Sequence, residues 1–196
     1  MRTRNVDKVA LVKQKAVELL VSKGFEGFSM NKLAAACNIS VATLYIYYKD
    51  KDDLIINIAE EEGKRMNDIT LKGFDPDASF AVGLRKQWEN RARYVLENSP
   101  ATRFFEQLRS STYHEKVMES ITRNFREMME KFVQNAIERG EINKLPLEVY
   151  WSVAFAPLYS LLRFHIEGTS IGGKSFDLSN KLLWQTFDLT LKALKK

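Results

Sequence analysis

The side chains best suited to chemistry lie between Lys23 and Leu54, where hydroxyl-bearing and basic residues recur. Hydroxyl and ammonium groups donate hydrogen bonds to phosphate oxygens, and such contacts set the register of a protein on a nucleic acid without reading its sequence. The residues concerned are Ser29, Ser40, Thr43, Tyr45, Tyr47 and Lys51. Their types and spacing indicate a surface that binds a phosphate backbone.

Short helices are expected to position these residues. Ser29 and Ser40 are of the type that caps a helix N-terminus, and Asn38 tolerates the left-handed backbone that a tight turn requires. The small residues 34–36 allow two helices to cross closely. The expected elements are helices over about 7–22, 30–36, 40–48 and 50–66, a stop at Gly24 and a turn over 37–39. The third of these helices is of a size that fits the major groove of DNA.

The composition predicts an all-α protein. The chain has 196 residues, 45% of them hydrophobic, with only four prolines and nine glycines, and no strand-like alternation recurs. A glycine and a proline mark a boundary at 72–77, beyond which helices are expected over about 77–97, 101–113, 115–139, 146–167 and 176–194. We therefore predict about nine helices: a three-helix helix-turn-helix domain over 1–50, a linking helix over 51–71 and a larger C-terminal bundle over 72–196.

The distribution of charge and the cysteine content limit the class of partner and the cellular compartment that fit this chain. Residues 1–50 carry eight Lys and Arg against four Asp and Glu, a net charge of +4, whereas the remainder carries 22 against 21. A basic first quarter indicates a polyanionic partner, although a solvated basic surface would give the same count. Cys37 is alone, which excludes an intramolecular disulfide, and we expect it to be a small buried residue. The polar start of the chain and the short apolar run 153–162 predict a cytoplasmic protein without a membrane segment.

The segment from about Val9 to Ile58 resembles the DNA-binding domain of the TetR family of bacterial transcriptional regulators. The resemblance covers about a quarter of the chain, and the rest matches in size and helical layout. The matching residues are Gly24, Phe25, Ser29, Leu33, Ala34, Ile39, Ser40, Thr43, Leu44, Tyr45, Tyr47, Lys51 and Leu54. The resemblance implies a ligand-responsive homodimer, expected to be a repressor, that binds a palindromic double-stranded DNA operator and is released by a small apolar or aromatic effector.

The resemblance also assigns roles to single residues. It places Val41 and Ala42, joined by Asn31, at base-reading positions. Val41 replaces a commoner polar or basic residue, so a thymine methyl group is a better partner for it than a hydrogen-bonding base edge. Tyr45 fits phosphate contact and side-chain packing equally well, and Tyr48 is assigned to the core. The phosphate contacts implied by the family are Ser29, Thr43, Tyr45, Tyr47 and Lys51.

The C-terminal bundle is expected to bind the effector and to dimerise. The stretch 149–166 is apolar nearly all round, so one side must cover the core and another a partner, and Pro157 predicts a kink within it. Aromatic and methionine side chains suit an apolar pocket, although a packed core explains them as well. The pocket residues would be Trp88, Phe104, Phe105, Met128, Phe132, Trp151, Phe155 and Tyr159. The final two helices would pair across the dimer through Leu158, Leu162, His165, Leu183, Phe187 and Leu191.

A helical enzyme or small-molecule carrier that uses the bundle pocket is the competing function. The two histidines lie far apart in sequence, the cysteine is alone, and no HExxH, GxSxG, Walker or GxGxxG pattern occurs. The acidic run 60–62 is typical of a solvated helix face. We therefore predict no catalytic residue, no metal site and no cofactor.

Overall fold

The computed structural model describes the backbone of residues 2–196 and the side chains of residues 8–196. The side chains of residues 1–7, which include two of the basic groups counted above, lie outside the described residues. Over residues 2–196 the chain forms ten helices and no strand, which confirms the all-α class. The helices are α1 (Arg2–Gly27), α2 (Met30–Ala36), α3 (Val41–Tyr45), α4 (Lys51–Thr70), α5 (Phe80–Glu97), α6 (Ser99–Arg109), α7 (His114–Glu138), α8 (Leu147–Ala154), α9 (Ala156–Glu167) and α10 (Asn180–Leu194).

The first helix is interrupted where the sequence predicted its end. Gly24 has φ 69° and ψ 171°, values outside the helical region that a residue without a Cβ adopts readily. Before this break, Val12, Ala16 and Leu20 form the buried stripe of α1. The last turn, which follows Gly24, therefore leaves the main helix in a new direction and leads into α2.

A reciprocal pair of aspartates starts α4. Asp50 Oδ1 accepts the backbone N–H of Asp53 at 2.8 Å, and Asp53 Oδ2 accepts the backbone N–H of Lys49 at 2.9 Å. The first bond satisfies one of the N–H groups that a helix start leaves without partners, and the second ties the residue before the cap to the first turn. The start of α4 agrees with the prediction, whereas the helix continues past the predicted end near Met66 to Thr70.

The predicted kink divides the apolar helix of the C-terminal region into α8 and α9. Phe155 has φ −129° and ψ −26° and separates the two helices, two residues before Pro157. Because proline has no N–H, the carbonyl of Val153 loses its partner within the helix. The count of ten helices instead of about nine follows from this break. None of the described helices is long and apolar enough to cross a bilayer.

The helices form two compact units, neither of which is continuous in sequence. The first contains the chain up to Arg65 together with 98–122, and the second contains 66–97 and 123–196. In the first unit α6 packs on α1, where Gln107 Nε2 donates to the carbonyl of Val21 at 2.9 Å. The predicted boundary at 72–77 is a loop but not the edge of a unit. A glycine and a proline can end a helix, whereas side-chain packing decides which helices share a core. The functional division at residues 50 and 71 stays a prediction.

The core of the second unit is built on α5. The rings of Phe80 and Phe132 stack with centroids 5.7 Å apart. Trp88 is fully buried, its Nε1–H donates to the carbonyl of Ala154 at 2.8 Å, and its ring lies edge-on to Phe187 at 5.4 Å. These contacts fix the two helices of the C-terminal end, α8 and α10, against α5.

Most of the predicted dimer residues belong to this core. Leu158, Leu162, Leu183 and Phe187 are all buried within the single chain. The prediction that these four side chains touch a partner is therefore corrected, because an apolar stripe does not specify which neighbour covers it. His165 and Leu191 are half-buried. A second copy in contact with α9 or α10 would touch the opposite, exposed faces of these helices.

Candidate nucleic-acid interface and aromatic cluster

The helix α2 begins as the sequence predicted. Ser29 has an extended backbone, and its Oγ accepts the N–H of Lys32 at 3.3 Å. The side chains of Met30 and Leu33 are buried beneath the helix, whereas Asn31 is exposed. The capping hydroxyl and the predicted base-reading amide therefore both lie at the surface of the first unit.

The turn after α2 has the predicted left-handed residue. Asn38 has φ 53°, and the N–H of Ile39 closes the turn on the carbonyl of Ala34 at 3.0 Å. Cys37 is buried, as expected, and burial raises the pKa of its thiol. Because the thiolate is the reactive form, a raised pKa keeps this cysteine inert. The turn thus sets the angle between α2 and α3 without chemistry of its own.

Two hydroxyls organise the start of α3. Ser40 Oγ accepts the N–H of Thr43 at 3.2 Å, and the two side-chain oxygens are 2.8 Å apart. Leu44 is fully buried, whereas Ala42 is exposed. The helix ends at Tyr45 and is shorter than the prediction, which extended to Tyr48. The capping serine thus holds the hydroxyl of Thr43 in place before any partner binds.

Three consecutive side chains project from the end of α3. Tyr45, Ile46 and Tyr47 are 52%, 75% and 38% exposed. Tyr48 is buried, as expected. Its hydroxyl has no hydrogen-bond partner among the described residues, and burial raises the pKa of this hydroxyl to about 12. About half of the Tyr45 side chain is exposed and available to a ligand, and its contact with phosphate stays a prediction. Ile46 is not among the residues predicted from the sequence, where its only signal is its place between two tyrosines.

Lys51 has a structural partner that the sequence did not indicate. Its Nζ donates to the carbonyl of Phe25 at 2.7 Å, and the Nζ of Lys32 donates to the carbonyl of Gly27 at the same distance. Both lysines satisfy carbonyls at the end of α1, where a positive charge is favourable. An ammonium group has three N–H donors, so this bond leaves Lys51 able to donate to a further acceptor.

The predicted DNA-contacting residues share one property, since none of them is buried. The apolar residues between them, Leu33, Leu44 and Tyr48, face the core instead. The half-exposed or exposed set is Ser29, Asn31, Val41, Ala42, Thr43, Tyr45, Tyr47 and Lys51. The first unit therefore presents a surface of hydroxyls, one amide and small apolar groups around α3.

The predicted effector pocket separates into three parts. Phe104 and Phe105 belong to the first unit, where the ring centres of Phe104 and Phe25 are 5.9 Å apart. Trp88 and Phe132 are buried in the core of the second unit, and the part of these four residues in an effector pocket stays a prediction. Met128 is half-buried. The remaining three, Trp151, Phe155 and Tyr159, surround a residue that the sequence analysis missed, Arg91.

The position of Arg91 in sequence carried a signal. It follows Trp88 by three residues and precedes Val95 by four, so it lies on the buried stripe of α5. A charged residue in such a stripe is uncommon and needs a partner. Among the described residues, no group of three or more His, Cys, Asp and Glu side chains could hold a metal ion.

Comparison with known proteins relates the chain to bacterial transcription regulators. Residues 14–58 match the family model described as bacterial regulatory proteins, tetR family. An uncharacterized HTH-type transcriptional regulator of Haemophilus influenzae is 22% identical over 100% of both chains. A TetR family transcription regulator from Marinobacter aquaeolei VT8 has a similar fold over 100% of both chains, with a TM-score of 0.84 and 24% identity. A TetR family protein from Vibrio parahaemolyticus is similar over 96% of this chain and 99% of its own, with a TM-score of 0.77 and 23% identity.

The matched segment contains the caps, the turn and the exposed side chains described above. Its local geometry is that of a helix-turn-helix, with α2 buried on one face and α3 presented to solvent. The relatives extend the likeness from this segment to the whole chain. Residues 14–58 form a helix-turn-helix domain of the tetR family of bacterial regulatory proteins, and the whole chain has the fold of TetR family regulators.

Proposed function

We propose that the protein is a homodimeric repressor, working in the cytoplasm, that binds a palindromic operator and is released by a small apolar or aromatic effector. The observation that carries the proposal is the exposed row of Ala42, Tyr45 and Tyr47 in and just after α3, whose opposite side buries Leu44. An exposed row of this composition at the surface of a basic segment suits a groove lined by phosphates.

The side chains divide into two groups by the contacts that they can make. Ser29, Thr43, Tyr45, Tyr47 and Lys51 carry donors for phosphate oxygens, and these contacts would set the register on DNA. Asn31 carries an amide, which pairs well with adenine, whereas Val41 and Ala42 offer only methyl groups. Contact with thymine methyls is therefore the base readout that we assign to α3.

The dimer in this proposal uses the exposed faces of the last two helices. On α10 the side chains of Leu182, Thr186, Leu189 and Ala193 recur at a spacing of three to four residues, and none of them is buried. Leu189 is 64% exposed, which is uncommon for a leucine in the middle of a helix. A two-fold dimer would present two copies of α3 to major grooves about one turn of DNA apart, roughly 34 Å.

Release requires that the effector distinguish two conformations. A ligand shifts an equilibrium only by the difference between its affinities for the two states. The cluster of Trp151, Phe155 and Tyr159 around Arg91 is the effector site that we assign, because it combines aromatic surface with a polar group. Occupation of this site would favour the conformation with lower affinity for the operator.

Removal of two hydroxyls from the α3 surface tests the DNA-binding role. Thr43→Val combined with Tyr47→Phe keeps both side-chain shapes and deletes the donors. In a gel-shift titration with DNA upstream of the protein's own gene, we expect binding at least about 10-fold weaker, because a hydrogen bond to a charged phosphate contributes roughly 1.5–3 kcal/mol. Thr112→Val, an exposed threonine elsewhere in the first unit, is the matched control.

Salt dependence supplies an independent measurement. Binding through phosphates should weaken linearly with the logarithm of salt concentration, with a slope of about −0.9 per neutralised phosphate. The doubly substituted protein should show a reduced affinity in every salt concentration. Equal affinities of the wild type and the double variant, or an affinity indifferent to salt, would contradict the proposed interface.

A further inference from the structure

The guanidinium of Arg91 is buried in the second unit without an acidic partner. The side chain is only 6% exposed, and no ion pair among the described residues includes it. Its Nη1 donates to the hydroxyl of Tyr159 at 2.5 Å, whereas Nε and Nη2 are buried and have no hydrogen-bond partner among the described residues. A buried charge with unsatisfied donors is costly to the folded state, which suggests a role beyond packing.

Aromatic rings provide part of the stabilisation. The guanidinium carbon lies 4.3 Å from the ring centre of Phe155, 4.9 Å from that of Phe125 and 5.1 Å from that of Trp151. The faces of such rings attract a cation. They do not replace the two oxygen acceptors that Nε and Nη2 lack, so the charge is held in place while two of its three nitrogens donate no hydrogen bond.

The two unused nitrogens have a specific geometry. Nε and Nη2 lie on the same edge of the planar guanidinium, and this edge matches the two oxygens of a carboxylate in a pair of parallel hydrogen bonds. A further unused donor lies close by in the same cluster. Tyr150 is 3% exposed, its ring centre is 6.2 Å from that of Phe155, and its hydroxyl has no partner among the described residues. Burial raises the pKa of this phenol, and the nearby positive charge of Arg91 opposes part of that rise.

We propose that the effector is an organic acid, with an apolar or aromatic body and a carboxylate that pairs with Nε and Nη2 of Arg91. This inference rests on the proposed function, because it assigns the chemistry of the effector. The body of the ligand would lie against the rings of Trp151 and Tyr159, which are 38% and 36% exposed, so a ligand meets aromatic surface before it reaches the guanidinium. The carboxylate would supply the acceptors and the negative charge that the folded chain does not.

Matched pairs of probes test the preference for an acid. The full-length protein is titrated by calorimetry, without DNA, with 1-naphthaleneacetate against 1-naphthaleneacetamide and with decanoate against 1-decanol. We expect each acid to bind at least about 10-fold tighter than its neutral counterpart, since the hydrogen bonds involved are charge-assisted. Arg91→Met should weaken the acids by about 10- to 100-fold and leave the neutral molecules within about 3-fold.

Two further variants separate charge from geometry. Arg91→Lys keeps the charge but loses the pair of parallel N–H donors. Its affinity for the acids should therefore lie between those of the wild type and Arg91→Met. Arg93→Met changes an exposed arginine of the same helix and should leave both affinities unchanged. The Tm of ligand-free Arg91→Met should be unchanged or raised, because the substitution removes an unpaired buried charge. A purely structural role for Arg91 predicts a lowered Tm instead.

Each contrary outcome identifies what has failed. Equal binding of an acid and its neutral counterpart, or an unchanged affinity of Arg91→Met for the acids, overturns the inference and leaves the DNA-binding proposal intact. A Tm of Arg91→Met several degrees below that of the wild type also overturns it. Binding of none of the four probes overturns both the inference and the effector site in the second unit. Failure of Arg91→Met to fold is the extreme case of a lowered Tm and likewise overturns the inference, as does an Arg91→Lys affinity for the acids equal to that of the wild type.

Discussion

At the scale of the residue, two glycines allow a side chain to approach a helix backbone. A Cβ placed on Gly83 would lie 2.2 Å from Cε2 of Phe132, and one on Gly63 would lie 2.6 Å from the side chain of Ile121. Both glycines are within helices, α5 and α4, where alanine normally has the higher helix propensity. The contacts therefore reverse the usual effect of replacing glycine by alanine.

Gly83→Ala should lower the free energy of unfolding by about 1–3 kcal/mol, because the buried ring of Phe132 has to move. The helix propensity alone predicts a gain of about 0.8–1 kcal/mol, so the sign of the change decides between the two effects. Urea denaturation followed by circular dichroism is the measurement. Gly172→Ala, at a position where a Cβ meets nothing within 4 Å, should change the stability little. A more stable Gly83→Ala would show that the contact is not as close as described.

A second prediction at this scale concerns pH. Burial raises the pKa of Tyr48 to about 12, above the ordinary value of 10.0. The unfolded chain therefore releases the phenolic proton first, and the contribution of Tyr48 to stability is fully present below pH 10 and is lost as the pH rises towards 12. Tyr48→Phe should remove this loss. At pH 7 it should leave the stability unchanged or raise it by up to about 1 kcal/mol, because the buried hydroxyl has no partner.

Denaturation curves at several pH values test this assignment. Tyr45→Phe, which changes an exposed ring of the same segment, is the control and should follow the wild type. If Tyr48→Phe and the wild type lose stability in parallel between pH 10 and pH 12, another group is responsible for the alkaline sensitivity.

At the scale of the element, local signals in the sequence account for the helix-turn-helix. Ser29, Ser40 and the pair Asp50 and Asp53 all act as caps, as their types and spacing predicted. The left-handed turn is also a local property, since Asn is one of the few residues that tolerate it. The end of α3 was predicted less well, because whether the backbone stays helical through Ile46 depends on what packs beneath it.

The turn residue gives a prediction that separates backbone from side chain. Asn38 has φ 53°, so Asn38→Ala should lower the free energy of unfolding by about 1 kcal/mol because of its Cβ. Asn38→Gly should be within a few tenths of a kcal/mol of the wild type or slightly more stable, since glycine adopts this backbone without strain. Thermal and urea denaturation of both variants measure the difference. Equal stabilities of the alanine and glycine variants would contradict the described turn.

At the scale of the whole molecule, the sequence predicted the family and the class of function. The prediction of a regulator and not an enzyme is confirmed by the family match and the relatives. The sequence did not predict which apolar stripes are covered by the chain itself. From the sequence, Leu158 and Leu183 were expected to contact a partner, but in the structure both are buried in the core of the chain itself. The proposed dimer therefore uses a different face of α10.

The oligomeric state tests that face. Leu189→Glu should convert the dimer to a monomer and weaken operator binding, because a carboxylate would have to be buried against a second copy. Leu147→Glu is the matched control, since its leucine is 63% exposed, against 64% for Leu189, and it opens a helix where an acid is favourable. Sedimentation at a fixed protein concentration measures the mass of each. A monomeric wild type, or a dimeric Leu189→Glu, would contradict the proposed interface.

The sequence by itself determined the helices, their caps, the left-handed turn and the kink before Pro157, because each of these depends on a few neighbouring residues. Only the tertiary structure decided that α6 packs with α1, that Phe104 packs on Phe25, and that Arg91 lies among aromatic rings without an acidic partner. The physical reason is that apolar burial has no direction. A stripe of apolar residues requires cover, and the identity of that cover depends on residues far away in the chain.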